Sequence, residues 1–98
     1  MKYEFKAQPY QYSSTPEMNG WTFVSLPQDI AMEIRDNFKR QEEGWGRLKI
    51  LAKIGNSEWE TSIWFDTKAD TYLLPLKAII RKKENIYLMH EYDISIMI

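Results

Sequence analysis

The sequence predicts a mainly β fold, a small barrel closed by two short helices, and three observations carry that expectation. Arg47 to Phe65 reads as two alternating apolar and polar arms around a Gly-Asn-Ser turn, the pattern of a β-hairpin. Val24–Pro27 and Tyr72–Pro75 each run from a short β-rich stretch through Leu-Pro into an amphipathic stretch. Tyr92, Ile94, Ile96 and Ile98 alternate with Asp93, Ser95 and Met97, which predicts a last strand.

Taken in order, Lys2 to Pro9 places Tyr3, Phe5 and Ala7 on one face of a half-buried strand, with Pro9 at its end or edge. Ser13 to Gly20 is polar and turn-rich, hence a connection. Trp21 to Leu26 is a short strand rich in aromatic and β-branched residues. Pro27 suits the first turn of a helix and Asp29 its dipole. Ile30, Ala31, Ile34 and Phe38 make the apolar stripe of that helix, and Asp36 and Arg40 are set for an i,i+4 pair opposite it. Arg40 to Gly46, charged and glycine-punctuated, reads as a mobile loop.

In the hairpin, Leu48, Ile50, Ala52 and Ile54 share one face, and Trp59, Thr61, Ile63 and Phe65 another. A loop of Gly55-Asn56 or of Asn56-Ser57 brings these faces together either way, and sets Lys53 opposite Glu58 or Glu60. Thr71 to Leu74 is a short strand. Pro75 then opens a second helix that buries Leu76, Ile79 and Ile80 and carries the cations Lys77, Arg81, Lys82 and Lys83. The repeated Leu-Pro step suggests two similar halves around the hairpin, with Ala31 matching Ile79 and Arg35 matching Lys83.

Ninety-eight residues, 44% of them hydrophobic, suffice for one core and make one domain, residues 1–98. There is no cysteine, which excludes disulfides, thiol catalysis and cysteine-zinc sites. No apolar run is long enough for a bilayer span and the amino terminus lacks the apolar run of a secretory signal. A cytoplasmic protein without a membrane partner is the expectation. The net charge of −1 does not favour a nucleic-acid partner.

Together, Trp21, the Leu26-Pro27 step, Arg47, Trp59-x-Thr61-Ser62 and Leu74-Pro75-Leu76-Lys77 with Arg81-Lys82 resemble, in order and spacing, a family of small bacterial domains of unknown function with a double-split β-barrel fold. The resemblance runs from about Trp21 to Ile98. It implies that barrel, and no activity. Members sometimes occur fused to a bacteriocin-protection segment. The family is similar in shape to AbrB- and MazE-type barrels, which bind DNA as dimers, so the resemblance also implies a homodimeric DNA-binding regulator as an alternative. Where the family carries Gly-Asp before the last strand, this chain has Glu91-Tyr92; a positive φ there suits glycine and not glutamate.

Chemistry-bearing motifs are sparse. His90 is the single histidine, so neither a zinc site nor any other metal or cofactor site is expected, and a solvent-facing turn residue is its simplest account. Ser62, His90 and Asp93 supply the residue types of a triad without a nucleophile-elbow sequence. Gly44-Trp45-Gly46 does not join a strand to a helix as a phosphate loop must, and ends a loop instead. Trp45 is the aromatic most open to solvent, while Trp21, Phe23, Trp59 and Phe65 fall at core spacing. Arg47, Ser62 and Trp64 share the hairpin face opposite the core, the best candidate ligand site. Lys77, Arg81, Lys82 and Lys83 are the candidate nucleic-acid contacts, against a plain solvated helix face. The sequence favours a non-enzymatic binding module with an unidentified ligand or protein partner over a DNA-binding regulator or a small enzyme using the hairpin.

Overall fold

A computed structural model describes residues 1–12 and 21–98, with the backbone alone for Tyr12 and Trp45. The connection expected over Ser13 to Gly20 and the exposure expected of Trp45 lie outside the described residues. The chain folds as β1 (Lys2–Ala7), β2 (Tyr10–Tyr12), β3 (Trp21–Ser25), α1 (Gln28–Phe38), β4 (Arg47–Ile54), β5 (Ser57–Asp66), β6 (Thr71–Pro75), α2 (Ala78–Lys83) and β7 (Tyr92–Met97). The fold is mainly β with two helices, as the sequence predicts.

The strands form one antiparallel sheet in the order β1-β7-β4-β5-β6-β3-β2. β1 and β2 are its two edges, yet only Gln8 and Pro9 separate them in the chain. In a flat sheet of this order the edges would stand about 29 Å apart. The link from Ala7 to Tyr10 spans at most about 11 Å. The sheet must therefore curl, and it makes a half-barrel. β2 is the strand that the sequence pattern missed, since three residues are too few to show a period.

The hairpin register sets the core. Ile54 faces Ser57, so the loop is Gly55-Asn56, and Lys53 faces Glu58. Gly55 takes φ +59°, and a Cβ there would lie 2.1 Å from the Glu84 Oε1 atom, so conformation and space both call for glycine. Ser57 donates its hydroxyl to Glu84 at 2.5 Å and thus ties the hairpin tip to the end of α2. Leu48, Ile50, Ala52, Ile54, Trp59 and Ile63 are buried on the concave face with Tyr3, Phe5, Val24, Leu26, Leu74, Ile94 and Ile96.

α1 lays Ala31 and Ile34 on this core, with Ile30 and Phe38 packed at its margin. Pro27 caps the helix rather than entering it. Arg40 falls beyond the helix in a 3-10 turn (Lys39–Gln41), and the pair expected with Asp36 does not form. Instead Arg35 stands 3.6 Å from Glu42 and 4.0 Å above the Phe65 ring. The segment expected as a mobile loop holds two such turns, Lys39–Gln41 and Gly44–Gly46, and Glu43 and Arg47 exchange backbone hydrogen bonds. The Tyr72 hydroxyl donates to the Glu42 carboxylate, which anchors this segment from within.

α2 begins three residues later than expected, at Ala78 after a Lys77 cap, because Pro75 still belongs to β6 and faces Phe23. That delay turns Ile79 outward, 73% exposed, while Leu76 and Ile80 are buried. In the connection to β7, Ile86 is buried and the Tyr87 N–H donates to the Tyr92 hydroxyl. Positive φ in this connection falls on Asn85, at 53°, and Met89, at 73°, and not on Glu91. Among the described residues no helix is long and apolar enough to cross a membrane.

The two strand-helix segments lie side by side, β3 against β6, in a local two-fold arrangement. Leu26 N–H donates to the Tyr72 carbonyl and Leu76 N–H to the Thr22 carbonyl; Ala31 N–H reaches Pro27 and Arg81 N–H reaches Lys77. Leu26 therefore corresponds to Leu76, Pro27 to Lys77 and Ala31 to Arg81. The alignment of the two Leu-Pro steps, which matched Ala31 with Ile79, is out by two residues.

Candidate functional site

The hairpin alternation that buries Trp59 and Ile63 sends Glu60, Ser62 and Trp64 to the convex face. There Ser62 faces Lys49 and Trp64 faces Arg47 across the β4–β5 ladder. β6 pairs with β5 at Trp64, Phe65 and Asp66 alone. Beyond that point β6 stays with β3, and Leu76 N–H donates to the Thr22 carbonyl at 2.8 Å. β5 and the β6–α2 junction part company, and a groove of about 1000 Å³ opens between them.

Glu60, Thr61 and Ser62 form one wall of this groove, and Pro75 to Ala78 with Arg81 the other. Trp21, Thr22, Trp64, Arg47 and Lys49 line it as well, with Ile50, Leu51 and Met97. The expected trio Arg47, Ser62 and Trp64 thus line one groove, and Lys77 and Arg81 join them. Lys82 and Lys83 are exposed and lie outside its lining. Trp21, Lys49 and Glu60 were not singled out from sequence. Lys49 and Glu60 follow from the hairpin register once the groove is known, whereas nothing in the sequence places Trp21 there.

Trp21 is 47% exposed, unlike the core residue expected, because it shares the convex face with Phe23. Phe23 is fully buried, but in an aromatic cluster on that face and not in the concave core. Its ring meets Trp64 edge-on at 5.2 Å, and Trp21 stands 6.0 Å from Phe23 and 6.5 Å from Trp64. Such pairs contribute about 0.5–1.5 kcal/mol each beyond their buried area. They fix one end of the groove.

The groove is electropositive. Arg81 donates Nε–H to the Leu76 carbonyl at 3.1 Å, which aims the guanidinium and leaves its terminal nitrogens available. Among the described residues no carboxylate lies within 4.0 Å of Arg47, Lys77 or Arg81. Lys49 has Glu43 at 3.7 Å, an exposed pair of little energetic consequence. Glu60 is the carboxylate of the lining. An anion entering the groove therefore meets cations that the described carboxylates leave unpaired, and an Arg fork can grip a carboxylate or phosphate through two hydrogen bonds.

A family model described as "Domain of unknown function (DUF1905)" matches residues 5–96. The chain belongs to this family. No curated protein matches it. In this DUF1905 domain the residue types of a triad are dispersed: Ser62 lines the groove, His90 meets Tyr87 edge-on at 6.3 Å, and Asp93 lines a separate hollow with Lys2, Lys6 and Lys53. Among the described residues no three His, Asp or Glu side chains gather as metal ligands. Tyr72 has its phenol pushed well above its ordinary range, first by desolvation and then by Glu42. That phenol secures the 39–46 segment and does not line the groove.

Proposed function

We propose that residues 1–98 act as a single β domain and that this domain is a non-enzymatic binding module whose ligand is anionic and seats in the β5–α2 groove. The observation that carries this reading is the convergence of Arg47, Lys77 and Arg81, with no carboxylate partner among the described residues, beside an exposed Trp21. Unpaired cations that share a concavity repel one another, and an anion relieves that repulsion while its own desolvation is offset by directed hydrogen bonds. The duplex-binding alternative needs Lys82 and Lys83 to act with Lys77 and Arg81, and these pairs face different surroundings.

A thermal-shift screen over carboxylates, phosphates, nucleotides, short acidic peptides and duplex DNA tests the proposal. A ligand raises the melting temperature of the wild-type domain at low salt, less so at high salt, and not that of an Arg47→Ala, Arg81→Ala double variant. Equal shifts for wild type and double variant would place binding elsewhere and overturn it.

A further inference from the structure

β5 runs from Ser57 to Asp66, yet β6 covers only its last three residues, Trp64, Phe65 and Asp66. From Ser57 to Ile63, β4 is its sole strand partner among the described residues. At the far end of this open edge Glu84 receives the Ser57 hydroxyl at 2.5 Å. Within the open stretch, Glu60, Thr61 and Ser62 are the residues that line the groove. A strand edge without a partner offers backbone donors and acceptors that a further strand can complete.

We infer that the groove takes an extended acidic peptide from a protein partner, added as a strand against Glu60–Ser62, with its carboxylates on Arg47, Lys77 and Arg81. This rests on the anion-binding reading above and names the partner's chemistry. The edge and the cations are complementary to one occupant: backbone hydrogen bonds satisfy β5, and alternate side chains reach the charged wall. Three edge residues correspond to about 10 Å of extended chain, and a groove of about 1000 Å³ holds a short peptide. A nucleotide fits less well. The Trp21 and Trp64 planes are inclined by 58° with centroids 6.5 Å apart, so they leave no parallel slot for a base. A small anion would also leave the β5 edge unpaired.

The experiment is an NMR titration of the ¹⁵N-labelled chain at low salt. The probes are an N-acetylated, C-amidated Glu-Val-Glu-Val-Glu-Val peptide, its Gln-Val counterpart, the acidic peptide with alternate backbone amides N-methylated, AMP, and a short DNA duplex. The acidic peptide shifts the amides of Glu60 to Ser62 and of Arg81. It binds at least about tenfold more tightly than the Gln-Val peptide or than it binds an Arg81→Gln variant, the scale of one charge-assisted hydrogen bond. Backbone methylation removes binding. If the methylated peptide binds as well as the unmodified one, or if AMP or the duplex binds and the peptide does not, the strand-addition inference is overturned while the anion-binding reading survives. If no probe perturbs the groove, both fall.

Discussion

The two halves of the sheet built around β3–α1 and β6–α2 share hydrogen-bond geometry and differ in what they place at equivalent positions. In the first half the positions are Pro27 and Ala31, and Ala31 is fully buried. In the second they are Lys77 and Arg81, which line the groove. α1 extends for eleven residues and lays a continuous stripe on the core, whereas α2 stops after six. One backbone arrangement thus serves two ends. Small apolar residues and a long helix seal the concave core on one side; cations and a short helix keep the other side open. The groove is thus a local departure from an approximate symmetry, and the departure is concentrated in side chains.

Exchanging the equivalent residues breaks the comparison most severely. Ala31→Arg forces a guanidinium into a site with no solvent access and is expected to cost more than about 4 kcal/mol, or to prevent folding, by overpacking and by an unpaired buried charge. Arg81→Ala at the matching position is expected to cost less than about 1 kcal/mol, because the side chain is half-exposed and loses one hydrogen bond to a carbonyl. Urea denaturation of the two variants measures the difference. Comparable losses would make Arg81 a structural fastener and undercut its assignment to a ligand.

The helices offer a second contrast of the same kind. Ile34 in α1 is fully buried and Ile79 in α2 is 73% exposed. Ile34→Ala is expected to lose about 2–5 kcal/mol through lost transfer energy and a cavity. Ile79→Ala is expected to stay within about 0.5 kcal/mol. A large loss at Ile79 would show that α2 packs against something in solution that its own chain does not supply.

Ile79 also shows where sequence reasoning stops. The hairpin was legible because period-two alternation over Arg47 to Phe65 is a local property, and either loop choice preserved the faces. The trio Arg47, Ser62 and Trp64 followed from that alternation alone. What alternation does not contain is the point at which β6 leaves β5, since a strand's choice of neighbour depends on tertiary hydrogen bonds such as that from Leu76 to Thr22. The same ladder keeps Pro75 in β6, so α2 starts late, Ile79 turns out and Lys77 and Arg81 arrive beside the hairpin. Trp21 and Phe23 were mistaken for concave-core residues because a convex aromatic cluster has the same composition as a core. Burial on both faces of β3 and β6 hides the alternation that would have separated the two.

A smaller effect sharpens the contrast through Thr22 and Tyr72, which also occupy equivalent positions and both bury a hydroxyl. The Tyr72 hydroxyl serves Glu42, and Tyr72→Phe is expected to cost about 1.5–3 kcal/mol, the range for a hydrogen bond to a charged group. It also changes the response to alkali. Burial and Glu42 raise the Tyr72 pKa, so the unfolded chain releases this proton first, near the ordinary phenol value of about 10. The associated stability is complete below that pH and declines as pH rises above it. Denaturation curves of wild type and Tyr72→Phe should therefore converge above about pH 10, and a constant gap would show that the phenol is not held in its protonated form.

The Thr22 hydroxyl, by contrast, is buried with no protein partner among the described residues. Its desolvation is uncompensated, so Thr22→Val, which keeps the shape and removes the polar atom, is expected to be neutral or to stabilise by up to about 1 kcal/mol. A loss of more than about 1 kcal/mol on the same measurement would mean that the hydroxyl is satisfied. Thr22 lines the groove, but its hydroxyl is shielded from solvent, so a ligand reaches it only if the wall shifts. A Thr22→Val variant that is stable but binds the acidic peptide more weakly would add this hydroxyl to the recognition surface. Equal binding would confine recognition to the cations and the β5 edge.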